Sequence, residues 1–195
     1  MKRSRMQVRR VAVVLALGLA LAGADAALRQ CSVQYALLRG GSLAGARLTG
    51  QNLRQRGLSG VDLRGARLEG AVLAGADLRR AVLTSAAAAG ANLAAADLTE
   101  SNLRGASLRD ARLQFSFARR ADLRGADLRG ADLRNTALFG ADLRGAALDG
   151  AALTSALYDE LTVWPEGFDP ASHGAVFRED RWVELPAGLE SFATE

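Results

Sequence analysis

The feature that most constrains this chain is a period of five. Counting from Leu38 in steps of five to Leu153 gives 24 positions, of which 22 are Leu and two, Ala88 and Ala118, are Ala. Two residues before each stands a second ordered column, Ala at 17 of 24 positions, and two residues after each stands a third, Gly at 14 of 24. The unit reads A(D/N)LxG, and it is plainest in ADLRGADLRGADLRNTALFGADLRG, residues 121 to 145. On an α-helix each residue turns the chain by about 100°, so leucines five apart would be rotated by about 140° and form no stripe. Glycine at every fifth position would also cost about 1 kcal/mol each relative to alanine. Extended chain fits instead. Residues two apart then share a face, so Ala and Leu point inward while the residues between and after them point outward. The fifth residue turns the chain, a task for which glycine is suited because it tolerates positive φ.

A chain that turns in the same sense after every five residues closes into a coil, and coils stack through backbone hydrogen bonds. On these residues the sequence resembles the pentapeptide repeat proteins, with no break in register from 36 to 155. The resemblance implies an all-β fold, a right-handed quadrilateral β-helix with four pentapeptides per coil. Twenty-four units then make about six coils, followed by an irregular C-terminal cap. Stacking buries what one unit cannot bury alone. Departures from the unit mark expected weak points. Gln51 and Arg56 stand where Ala is the rule, so a distorted first coil is expected there. Ala88 and Ala118 remove inward leucines, each at an expected cost on the order of 2 kcal/mol unless a neighbour fills the space.

Residues 1 to 26, MKRSRMQVRRVAVVLALGLALAGADA, have the layout of a secretory signal peptide: a basic start, an apolar run, and Ala24-Asp25-Ala26. The run between Arg10 and Asp25 is 14 residues, short of the roughly 20 that span a membrane. Cleavage after Ala26 is expected, with export to the periplasm or medium; retention as an N-terminal anchor is the competing reading. The surroundings of Arg9-Arg10 do not support a twin-arginine signal, and Leu28-Arg29-Gln30 before Cys31 does not support a lipoprotein.

Without the leader the charge argument changes. The chain has 25 basic and 21 acidic residues and a pI near 10.1. The leader holds five basic residues and one acidic, leaving 20 of each and a net charge of zero. The high pI is therefore no argument for nucleic-acid binding. Residues 27 to 155 carry 18 basic and 11 acidic residues; residues 156 to 195 carry two and nine. The expected divisions are a signal peptide at 1–26, a repeat shaft at 27–157, a capping segment at 158–177 and an acidic extension at 178–195. Cys31, the lone cysteine, allows no internal disulfide; it falls in the Ala column and reads as a small buried residue.

Two exterior features are candidate interaction surfaces. Residues 20 apart stack in the expected coil, which places Arg64, Arg104, Arg124 and Arg144 in one column beside Asp62, Asn102, Asp122 and Asp142. Mutual neutralisation is the plain reading of that column, and recognition of a polyanion or carbohydrate is the functional one. Phe115, Phe117 and Phe139 break the polar exterior, with Phe117 and Phe139 expected on one face in adjacent coils. An exposed aromatic cluster has a partner as a rule; here it is either the chain's own tail, with Trp164, Phe168, Phe177 and Trp182, or another protein. The tail abandons the repeat after Tyr158. Its landmarks Tyr158, Trp164-Pro165, Phe168 and Pro170 resemble the segment that closes pentapeptide repeat arrays, and an open β-helix end would expose raw strand edges.

Catalytic chemistry is not expected. His173 has Ser172 beside it and Asp169 nearby, but a triad is a matter of spatial geometry that adjacent residues rarely reach. One His and one Cys cannot supply the usual metal ligands, and Asp122, Asp127 and Asp132 are sent to different faces by the turning chain. No phosphate-binding glycine loop is present and no cofactor is expected. The reading that follows is a non-catalytic structural or protein-interaction scaffold of the envelope or exterior, with an unidentified protein partner and a homodimer compatible with it. Polyanion or carbohydrate binding through the Arg column is the alternative. Topoisomerase inhibition by DNA mimicry ranks below both, because the shaft is net basic and an exported protein would not meet the enzyme.

Overall fold

The structure, a computed structural model, describes residues 42–179. The chain divides into units at Leu43/Ala44, and the described part of the second unit, from Ala44, is treated below. The expected signal peptide, Cys31 and Trp182 lie outside the described residues.

From Gly45 to Ser155 the chain repeats one backbone motif. From Gln51 onward the N–H of each Ala-column residue donates to the carbonyl of the preceding Leu-column residue, as Ala106 to Leu103 at 3.0 Å. Each such turn has its third residue at positive φ, the arrangement of a type II turn. Every corner in this stretch has φ between 52° and 69°, including ten that are not glycine, among them Arg80, Ala95, Phe115 and Arg120. The fold therefore imposes the left-handed corner whatever the residue, at roughly 1–2 kcal/mol for each side chain forced into it. Glycine is the relaxed choice at this position.

The straight segments between corners pair in parallel with residues 20 further on: Arg47 with Arg67, Asp62 with Val82, Asn102 with Asp122 and Asp122 with Asp142. One circuit thus takes 20 residues and contains a corner every five. From Gly45 to Asn135 each segment forms the same bonds to the next coil; the N–H of Leu103 donates to Asp122 O at 2.7 Å, and, to the coil before, that of Asn102 donates to Ala81 O at 2.9 Å. The outward residue before each Leu is the bridging one, so the sheet character resides in single bridges rather than long strands.

Leu and Ala columns form the core. The inward leucines from Leu58 to Leu113 are essentially sealed from solvent, and from Ala66 to Ala146 the small column is buried with them. Ser101 and Thr136, two polar members of that column, return their hydroxyls to main-chain carbonyls, Ser101 to Leu98 O at 2.7 Å and Thr136 to Leu113 O at 2.8 Å. The expected distortion at Gln51 and Arg56 is absent. Asn52 and Gly57 still bridge to Val72 and Asp77, and Leu53 and Leu58 stay buried. The ladder is main chain, and the long Arg56 side chain is exposed to solvent without disturbing it. Ala88 and Ala118 likewise leave the ladder unbroken.

Past Ser155 the regularity ends by steps. Strand β1, Leu157–Tyr158, continues the shaft. Asp159 to Thr162 then makes a tight turn, and Val163 bridges to Asp142, 21 residues away rather than 20, so one residue has been inserted. Trp164 to His173 leaves the ladder and contains a 3-10 helix, Ala171–His173, ended by Gly174 at φ 80°, whose carbonyl accepts from the Ser155 N–H at 2.8 Å. Strand β2, Val176–Phe177, then returns to pair in parallel with β1, Leu157 with Val176 and Tyr158 with Phe177.

Candidate interaction surface and the C-terminal segment

The outward residues are organised by the alternation that buries Ala and Leu. In each A-D-L-R unit the Asp before the Leu and the Arg after it emerge on the same side of one segment, two residues apart. Arg124 Nε and Nη2 reach Asp122 Oδ1 and Oδ2 at 2.8 and 2.6 Å, and the backbone N–H of Arg124 also donates to Asp122 Oδ1 at 3.3 Å. Asp62–Arg64, Asp77–Arg79, Asp127–Arg129, Asp132–Arg134 and Asp142–Arg144 repeat this fork. Hydrogen bonding from Arg129 in the first place holds Asp127 well below the usual carboxylate range, at about 2, and Asp77, Asp122, Asp132 and Asp142 are lowered for the same reason.

The fork is a local, i to i+2 arrangement, with weaker links between coils such as Arg124 Nε to Asp142 Oδ2 at 3.6 Å. Sequence reasoning foresaw the mutual neutralisation of the Asp and Arg columns and missed its second function. The Asp or Asn oxygen takes up the N–H of the residue entering the corner; Asn52, Asn92 and Asn102 do so for Arg54, Ala94 and Arg104. The (D/N) position of the unit was the available signal, since these two residues are the ones that accept from their own backbone two residues on. In the candidate column, Arg124 and Arg144 are thus forked to carboxylates, whereas Arg104, beside Asn102, forms no ion pair among the described residues. Asp122, Asp127 and Asp132 do lie on successive sides, each occupied by its own Arg.

The phenylalanines are placed differently from one another. Phe115 is a corner residue, at φ 61°, and is 62 % exposed; Phe117 is a bridging residue between Asp97 and Ala137 and is 52 % exposed. Phe139 is half-buried, with the Arg119 guanidinium 5.3 Å from its ring centre. Phe117 and Phe139 share a side of the shaft in adjacent coils, but in different columns: Phe117 stacks on Ala137, and Phe139 lies one column across. On the Phe117 side the outward column continues as Ala137, Leu157 and Val176, giving an apolar stripe.

Among the described residues the tail does not cover Phe115 or Phe117. Its aromatic residues form a chain of their own: Tyr158 meets Trp164 at 5.6 Å and Phe177 at 5.5 Å, both edge-on, Trp164 stacks on Phe168 at 5.4 Å, and Phe168 stacks on His173 at 4.5 Å. Tyr158 stands in the Leu register but at the end of the array, where its ring is a platform for the tail. Pro165 O accepts from Phe168 N–H at 3.1 Å, and Pro170 O accepts from His173 and Ala175 N–H at 3.1 and 3.0 Å, so both prolines shape turns.

Two residues without an expected role join the tail to the shaft. Asp159, 2 % exposed, accepts from the Gly140 N–H at 2.8 Å, and its own N–H donates to Thr162 Oγ1 at 3.2 Å. Thr162 Oγ1 lies 2.8 Å from Asp159 Oδ1 and 3.0 Å from Leu138 O. A buried carboxylate needs such partners. His173 is exposed on the surface; its Nδ1 contacts Ser172 Oγ at 3.1 Å and the main-chain oxygen of Asp169 at 2.8 Å, while the Asp169 carboxylate accepts from Ala171 N–H. No Ser-His-carboxylate relay is formed.

With this geometry in place, the comparisons are direct. The family described as Pentapeptide repeats matches in 8 copies over residues 58–93, 89–125 and 119–154. Among solved structures, the chain is similar to the pentapeptide repeat protein alr5209 of Nostoc Pcc 7120, with 29% identity over 76% of this chain and 94% of that one and a TM-score of 0.33. It is similar to HetL of Nostoc sp. strain PCC 7120, a pentapeptide repeat protein involved in heterocyst differentiation regulation, with 30% identity over 69% and 80% of the two chains and a TM-score of 0.22. QnrB1, a plasmid-mediated fluoroquinolone resistance protein, aligns at 18% identity over 70% and 77%, with a TM-score of 0.45. None of the curated proteins compared matches the chain. The chain belongs to the pentapeptide repeat family, whose members are right-handed β-helices.

Proposed function

We propose that this protein is a non-catalytic scaffold of the cell envelope or exterior that works by protein contact, built as a four-sided shaft of about six coils and closed at its C-terminal end by residues 158–177. The carrying observation is the exposure of Phe115 and Phe117 beside a shaft whose other outward residues are largely paired among themselves. The secretory layout of residues 1–26 supports the location, and pentapeptide repeat proteins are in general structural or protein-interaction proteins. Phe117, Ala137, Leu157 and Val176 with Phe115 at the edge form the contact face, and the aromatic chain from Tyr158 to His173 with the buried Asp159 holds the cap.

The test is capture from envelope extracts by the immobilised mature protein, repeated with Phe115→Ser/Phe117→Ser, both exposed. A cross-linkable partner lost in the variant, whose melting temperature is unchanged, is the expected result. A partner held equally by both forms would remove the Phe face from the proposal, and turnover abolished by His173→Ala would overturn the non-catalytic reading. The alternative, polyanion or carbohydrate binding through Arg104, Arg124 and Arg144, is weakened by the forks that occupy two of the three. Early elution from heparin, below physiological salt, is expected on that account.

A further inference from the structure

The last complete circuit of the shaft is missing a neighbour along part of its edge. One coil earlier, the segment 126–130 is paired in full: Leu128 N–H donates to Ala147 O at 2.9 Å, Gly130 N–H donates to Asp149 O at 3.0 Å, and Ala126 O accepts from Ala147 N–H at 3.0 Å. On segment 146–150 the equivalent groups, the N–H of Leu148 and Gly150 and the carbonyl of Ala146, have no partner among the described residues. They face the direction in which the next coil would lie. The chain does pass there, as Pro165 to Phe168 and His173, but it arches clear of the edge and leaves a cavity of about 450 Å³ between itself and residues 146–150.

The floor of this slot is open to the cavity. Ala146 and Leu148 are 7 % and 6 % exposed, against 1 % and 0 % for Ala126 and Leu128 beneath them. The roof is braced, because Phe168 is stacked between Trp164 and His173 and the turn behind it is held by Ser172 Oγ donating to Asp169 O at 2.8 Å. Asp149 and Glu166 both line the slot, and no Lys or Arg lies among its lining residues, whose one imidazole, His173, is stacked on Phe168. An unpaired strand edge with alternating donors and acceptors, open to a cavity roofed by Pro165 to Phe168 and His173, is the geometry that strand addition uses.

We propose that this slot binds an extended polypeptide segment from another chain as the missing strand of the coil. By the register of the coil below, the first bound residue donates its N–H to Ala146 O and accepts from Leu148 N–H, and the third accepts from Gly150 N–H. The middle side chain points inward over Leu148 and is apolar. The third side chain emerges beside Asp149 and Glu166 and is basic.

The probe is acetyl-Gly-Thr-Leu-Arg-Gly-amide, titrated into the isotope-labelled full chain and followed by amide chemical shifts. Saturable shifts centred on Leu148, Gly150 and Glu166 to Phe168 are expected below about 1 mM peptide. N-methylation of the peptide Thr removes one ladder bond and should weaken binding about tenfold. Changing the peptide Arg to Glu should weaken it several-fold, and Asp149→Lys, on an exposed position outside the core, should reverse the preference between the Arg and Glu peptides. Absence of shifts at millimolar peptide, insensitivity to N-methylation, or shifts centred on Phe115 and Phe117 would overturn the proposal. So would concentration-dependent shifts at Leu148 without peptide, which would put a second copy of the protein in the slot.

Discussion

Two parts of this molecule are held together in opposite ways. Between Gly45 and Asn135 each segment makes the same few bonds to the next coil, so the ladder passes Ala88, Ala118, Gln51 and Arg56 without a break. From Leu157 to Phe177 only Leu157, Val163, Gly174 and the strand pair of β1 with β2 keep ladder bonds, and the rest is held by contacts that occur once: one buried carboxylate and one aromatic chain. Repetition makes a structure tolerant, because stability is a sum of similar neighbour terms. A single-use segment has no such reserve, so its individual contacts should be worth more per residue than the outward contacts of the shaft.

The largest effect expected is in the shaft core, where the contrast is between inward and outward residues. Leu103→Ala should cost about 2–5 kcal/mol in denaturant unfolding, since Leu103 is sealed on all sides. Next comes the comparison itself. Asp159→Ala leaves the Gly140 N–H and the Thr162 hydroxyl without their buried partner and should cost about 2 kcal/mol. Asp122→Ala removes a fork that water can replace and should cost no more than about 1 kcal/mol. If the two aspartates proved equal, the distinction between tail and shaft would fail.

Corner chemistry gives a smaller effect of either sign. Ala95→Gly relieves a left-handed alanine and should stabilise by up to about 1 kcal/mol, whereas Gly125→Ala, into open space but at φ 64°, should destabilise by about the same amount. Ser116, whose hydroxyl is buried without a partner, should gain on the order of 1 kcal/mol on replacement by Ala; thermal melts of the variants check all three.

The smallest expected effect is the response to acid. Folding depresses the Asp127 carboxylate to about 2, so its contribution is complete above the unfolded value near 4 and is lost as pH falls through the window from about 4 to about 2. Asp77, Asp122, Asp132 and Asp142 are shifted in the same direction and add to the same slope. The decline in melting temperature over that window should be shallow, flatter in high salt, and flatter still in Asp127→Asn.

What was legible in the sequence follows from this difference. Leu103, Ala106 and Gly105 could be placed from their spacing, because position in a period of five decides whether a side chain points inward, outward or into a corner. The tail could be marked as a change of structure at Tyr158 but not built, since Asp159 reaches Gly140 and Trp164 reaches Tyr158 through contacts with no period. The Phe face was half legible. Spacing put Phe117 and Phe139 on one side, but that Arg119 lies over Phe139, and that the tail's rings pair with each other instead, depend on which side chains meet.

The amino-acid sequence by itself determined the coil: a period that cannot form a helix, small and branched apolar columns that must face inward, and a flexible fifth residue that must turn. Tertiary structure alone decided which Arg holds which Asp, where the array stops pairing at Ala146 to Gly150, and what roofs that edge. The physical reason is range. Alternation and turning are properties of neighbouring peptide units and are written into each pentapeptide, whereas the end of a stack exists only once the stack has formed.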